Sequence, residues 1–183
     1  HASHPVQEIG GRITGPITRA DAALGARVKD ALRAPRRDVD ARVPRAALEH
    51  TVEATVAALD EAVARVVPAD VRTTLAFRTA VLRSLLNAMV KEYDEGEKHG
   101  RITQLVEYHD AYGYFRRSQA LYQEIGAALK EASARQAALA DERLATLARA
   151  LPGLAPPATV VRTAAMKETV AGLVQALIPG RAG

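Results

Sequence analysis

Five Tyr, two Phe and no Trp are all the aromatic side chains that 183 residues carry. Any core this chain builds must therefore come mainly from Ala, Leu and Val, and such small side chains suit helices packed axis against axis. The apolar spacing agrees. Leu48, Val52, Val56, Leu59, Val63 and Val66 recur at intervals of three and four, as one stripe of a helix requires. No strand pattern of period two is expected anywhere. Zero Cys removes disulfides, zinc-thiolate sites and thiol catalysis together.

Walking the chain divides it into an arm and a bundle. His1 to Pro16, with its Gly and Pro, reads as an extended lead-in. Thr18 is the expected cap of a short helix to about Leu32, and Pro35 and Pro44 bracket a basic linker. Residues 1–44 thus form an N-terminal arm and residues 45–178 a helical bundle. In the bundle the first helix runs from Arg45 until Pro68. Asp70 is the expected N-cap of the second, which His99-Gly100 closes. Thr103 caps the third, which starts near Gln104 and ends at Lys130 or runs on to Leu151. "LPGLAPP" breaks it, and a last helix spans Thr159 to Ile178. Short connections force antiparallel neighbours. The expected fold is all-α, an antiparallel four-helix bundle behind an extended or short-helical N-terminal segment.

Charge narrows the partners. The formal charge is +4 and the pI near 9.6. Nine Lys or Arg stand against four Asp between Gly11 and Arg45, which attracts anions or marks a solvated basic surface. No aromatic RNA-stacking motif or zinc finger accompanies them, so nucleic acid is not an expected partner. No apolar run reaches the ~20 residues of a membrane span. "HASHPVQ" lacks the features of a signal peptide, so the expectation is either a cytoplasmic protein or one whose leader has been removed. A mature N-terminal His1, with His4, could chelate copper.

The stretch "KEYDEGEKHGRITQLVEYHDAYGYF", Lys91 to Phe115, holds four of the five Tyr, one Phe, and a dense run of carboxylates and His. Hairpin geometry sets Glu92, Tyr93 and Asp94 at the height of Glu107 and Tyr108. Asp110 lies one turn from both Val106 and Tyr114, where a carboxylate on a covered face must be paired, protonated or metal-bound. The metal candidates are Asp94, Glu107, Asp110, His109 and His99, around Glu92, Tyr93 and Tyr108 as further contacts. Hard oxygen donors suit iron(III), calcium or manganese. The structural alternative has the tyrosines filling core and Asp110 meeting Arg116, Arg117 or a phenol. Val106, Tyr114, Leu121 and Ile125 form a second apolar stripe, and Val106, Tyr114 and Leu121 are the candidate homodimer face.

Glu92, Tyr93, Gly100, Ile102, Glu107, Tyr108, Asp110, Ala111 and Phe115 follow a recurring pattern. It is Glu-Tyr, a later Gly, a branched residue, then Glu-Tyr-x-Asp/Glu-Ala and an aromatic. This resembles the extracytoplasmic helical domain that precedes the membrane part of some FTR1-type iron permeases. The departures are Gly96 and Glu97 at positions of small and branched apolar residues, His99 at an acidic one, and the absence of Cys-x-x-Cys-His. The permease's Arg-Glu-x-x-Glu helices are absent too, so transport does not reside in this chain. The resemblance implies an exported domain, periplasmic or at the cell surface, that binds or hands over a metal beside a membrane permease. No nucleophile constellation or phosphate loop is visible, so neither an enzyme nor an organic cofactor is expected. The other reading is an interaction module without its own ligand.

Overall fold

The computed structural model describes residues 10–178. The chain divides after Arg72 into two compact units. No helix among the described residues is long and apolar enough to cross a membrane.

The first unit packs three helices: α1 (Gly11–Ala20), α2 (Ala22–Asp40) and α3 (Arg45–Val66). The first turn of α2 is closed by the Asp21 carboxylate, which accepts from Leu24 N–H at 2.9 Å. Gly25 lets α1 and α2 approach, since a methyl there would come within 2.8 Å of Thr18 Cα. Two expectations change here. The Gly11–Pro16 part of the extended arm is helical, and Pro35 lies inside α2 rather than opening a linker. Proline lacks the N–H that would bond the carbonyl four residues earlier. The carbonyl so released, that of Ala31, is taken by the Thr55 hydroxyl of α3 at 3.0 Å. This bond helps hold α3 to α2; the first compact unit ends at Arg72. Its small core is Ile17, Leu24, Val28, Leu32 and Ala62. Val52, Val56, Val63 and Val66 of the α3 stripe lie outside that core, 39–51 % exposed. The α3 face against α2 is instead built from Thr51, Thr55, Ala58, Leu59 and Ala62. A single turn, α4 (Ala69–Arg72), follows.

The second unit is an all-α four-helix bundle made of α5 (Leu75–Gly96), α6 (Leu105–Ala132), α7 (Ala134–Ala150) and α8 (Thr163–Ala176). Thr74, not Asp70, caps α5, its hydroxyl accepting from Phe77 N–H at 3.2 Å. α5 stops at Gly96. Here Glu97–Lys98 (β1) pairs antiparallel with Arg101–Ile102 (β2) around His99 (φ 56) and Gly100 (φ 80). Two successive positive φ values make the tight hairpin turn that matches strand twist, so His99-Gly100 turns a hairpin instead of closing a helix. Thr103 does not cap α6: its N–H and hydroxyl both donate to Gly96 O, at 2.8 and 3.2 Å. Ser133, extended at φ −163, separates α6 from α7 and caps the latter through Gln136 N–H. α8 begins at Thr163, later than the expected Thr159.

Each helix is antiparallel to the next around the ring α5-α6-α7-α8, and α8 returns to α5. Leu82, Leu86, Met89, Tyr93, Tyr108, Phe115, Leu147, Met166 and Leu173 fill the core, none more than 1 % exposed. Leu121 and Ile125, assigned from sequence to a second outward stripe, are also buried in it. That removes Leu121 from the expected homodimer face and leaves Tyr114 half-buried and Val106 exposed.

Candidate cation site at the hairpin end of the bundle

The α5-α6 turn brings two rows of groups together, and the helical repeat sorts them. Tyr93 and Tyr108 point inward. The Tyr93 hydroxyl donates to Val161 O at 2.7 Å, and that of Tyr108 donates to Gly153 O at 2.9 Å. Both acceptors lie in the 151–162 loop that closes this end of the bundle. Burial pushes the Tyr93 phenol up to about 12, with the Glu97 charge and Tyr108 adding to it. Burial raises that of Tyr108 as well. These phenols anchor a loop; their hydrogen bonds go to main-chain carbonyls and not to carboxylates.

Glu97 serves the same end. One carboxylate oxygen accepts from Gly100 N–H at 2.5 Å; the other accepts from Thr163 N–H at 2.8 Å and Thr163 hydroxyl at 2.7 Å. Burial alone would raise its pKa, but these hydrogen bonds, helped by the Arg162 charge, hold it below the ordinary carboxylate value. Arg162 offers no side-chain cap to α8, so Glu97 supplies one from another element. That explains why α8 starts at Thr163.

The five expected metal ligands do not gather. Asp94 turns toward α8 and pairs with Lys167 at 3.0 Å. His99 sits exposed in the hairpin turn. His109 Nε2 donates to Leu154 O at 2.9 Å, and Asp110 is half-buried farther along α6. Only Glu107 enters a cluster. Its carboxylate meets those of Glu92 and Glu95, one oxygen of each lying within 4.8 Å of the others. Glu92, expected here as a neighbouring contact, is 5 % exposed. Glu95 is not among the expected residues, although a signal for it exists. Glu92-x-x-Glu95 places two carboxylates one turn apart on a face, and the hairpin sets Glu107 opposite.

Lys91 offsets one of the three charges, its ammonium lying 3.2 Å from Glu92 Oε1 and 3.0 Å from Glu95 Oε1. Hydrogen bonds to Glu95 and Glu92 raise its pKa. Three carboxylates offer hard oxygen donors of the kind that iron(III), manganese or calcium prefer. An incoming cation would compete with the lysine for Glu92 and Glu95. Gly96 permits the crossing, since a methyl there would meet Gln104 O at 3.1 Å and Tyr108 N at 3.2 Å.

Comparison with curated proteins gave no match, and neither did comparison with solved structures. A family model did match: that of the iron permease-associated 4-helix bundle domain, over residues 68–179. The match takes in all four helices of the second unit together with the hairpin, and on that basis the chain belongs to the iron permease-associated 4-helix bundle family.

Proposed function

We propose that this bundle serves iron uptake by holding a metal cation at Glu92, Glu95 and Glu107 and passing it to a membrane permease. The convergence of those three carboxylates is the observation that carries the reading; membership of an iron permease-associated family supports it. In this reading the domain works outside the cytoplasm, needs no organic cofactor and performs no catalysis. Lys91 offsets one of the three negative charges between cations, and competes with a bound cation for Glu92 and Glu95, which favours transfer onward. The phenols of Tyr93 and Tyr108 keep the bundle end closed, so the carboxylates hold their separation.

Calorimetric titration tests this with iron(II) under anaerobic conditions, iron(III) citrate, copper(II), manganese and calcium. One site per chain is expected for at least one of them. Glu95→Gln/Glu107→Gln, chosen because both positions are less buried than Glu92, should weaken that site at least tenfold with unchanged circular dichroism. No heat from any of these metals in the wild type overturns the proposal.

A further inference from the structure

Charge divides the first unit into two sides. From Gly11 to Arg42 the chain carries eight Lys or Arg against four Asp, whereas α3 carries two Arg against four acids. Contacts between the helices fix where these charges lie. Ala31 and Asp38 of α2 meet Thr55 and Thr51 of α3. The helical repeat then puts Lys29, Arg33 and Arg37 on the opposite side of α2, and Glu53 and Asp60 on the side of α3 turned away from α2. Arg27 and Arg36 are taken up by Glu61 and Asp40. Lys29, Arg33 and Arg37 are exposed and pair with no carboxylate among the described residues.

We infer that Lys29, Arg33 and Arg37 dock the first unit on an anionic lipid surface, with α2 lying on the headgroups and nothing inserted. The three follow at intervals of four residues, each rising about 6 Å above the last, and so meet a plane of negative charge together. Beside them the outer face carries Ala22, Ala26 and Asp30, which are exposed. It lacks the large apolar side chains with which an amphipathic helix enters a bilayer. No aromatic side chain lies between Gly11 and Arg42, so the face offers nothing for a nucleic-acid base to stack on. Each basic residue near an anionic lipid surface adds to the attraction, and the acidic far side of α3 turns α2 toward it. The bundle's family is associated with iron permeases, and the membrane that holds a permease supplies such a surface. The inference stands whether or not Glu92, Glu95 and Glu107 hold a cation.

Cosedimentation of the full chain with lipid vesicles tests this. Phosphatidylcholine vesicles with about 30 % phosphatidylglycerol should retain the protein at about 0.05 M salt and release it at about 0.5 M. Pure phosphatidylcholine vesicles should not retain it. Lys29→Glu/Arg33→Glu/Arg37→Glu should weaken retention about thirtyfold or more with unchanged circular dichroism, and Asp30→Asn should strengthen it about threefold. Arg116, Lys130 and Arg135 are exposed cations of the bundle that pair with no carboxylate among the described residues. Arg116→Glu/Lys130→Glu/Arg135→Glu has the same net charge as the α2 variant and should bind as the wild type does. A wild type that ignores the anionic vesicles overturns the inference, as does an equal loss in both triple variants, which would leave net charge as the cause. Tighter binding to duplex DNA or to polyglutamate than to the vesicles, lost in the α2 variant, overturns it in favour of that partner.

Discussion

The two compact units are both helical, yet they hold their helices by different means. In the bundle, large side chains reach a shared interior. Tyr93, Tyr108 and Phe115 are at most 1 % exposed, and the two phenols find main-chain carbonyls in the 151–162 loop. In the first unit the core is smaller, Leu24, Val28 and Leu32 of α2 meeting Ala58, Leu59 and Ala62 of α3, and two threonines add polar bonds, Thr55 to Ala31 O and Thr51 to the Asp38 carboxylate. The α3 valines Val52, Val56, Val63 and Val66 remain outside. Burial of aromatic and aliphatic area contributes about 1.5–3 kcal/mol per large side chain, whereas a single hydrogen bond nets about 1 kcal/mol. The bundle should therefore respond to loss of volume and the first unit to loss of a few polar bonds.

Phe115→Ala is the severest way to probe this contrast. It should destabilise the bundle by about 3–5 kcal/mol, because truncating a buried aromatic removes transfer free energy and leaves a cavity. Urea denaturation followed by circular dichroism reads it, and a cost below about 1 kcal/mol would mean that the core collapses around the gap.

Glu97→Gln should come next, at about 1–3 kcal/mol, since an amide cannot replace a carboxylate that accepts from two N–H groups and a hydroxyl. Its pH dependence has a fixed sign. The folded pKa lies below the ordinary carboxylate value. The stabilisation is therefore fully present above the unfolded pKa, about 4.3, and disappears as pH falls through the folded pKa. Wild type and variant should converge in stability in acid and separate toward neutrality. Curves that remain parallel between these limits would exclude Glu97 as the charged cap of α8.

Thr55→Val should have the smallest effect, about 0.5–1.5 kcal/mol, confined to the α2-α3 pair. It removes the donor that serves the Ala31 carbonyl left by Pro35. If it cost as much as Phe115→Ala, the contrast between the units would fail.

Much of the architecture could be read from the residues. The all-α class, the α3 start at Arg45 and the α5-α6 hairpin follow from apolar spacing and turn residues, which act over a few neighbours. Pro35 defeats such a reading because a proline's effect on a helix depends on whether the released carbonyl finds another donor. That donor, Thr55, is remote in sequence. The candidate site was half legible. Glu92 and Glu107 stood out beside the tyrosines, but which carboxylates converge depends on the rotation of α5 about its own axis. That rotation sends Asp94 to Lys167 and brings Glu95 to Glu107.

The residue pattern by itself determined that this chain would be helices joined by tight turns, and that its acids and phenols would concentrate at one bend. Local propensity and the 3.6-residue repeat suffice for that. Tertiary structure alone decided that the α3 valines would lie outside a core and that Glu97 would cap a distant helix. It also decided that three glutamates would meet, two of them paired with a lysine. An apolar stripe specifies that a face prefers burial, but only the packing of whole elements decides what, if anything, lies against it.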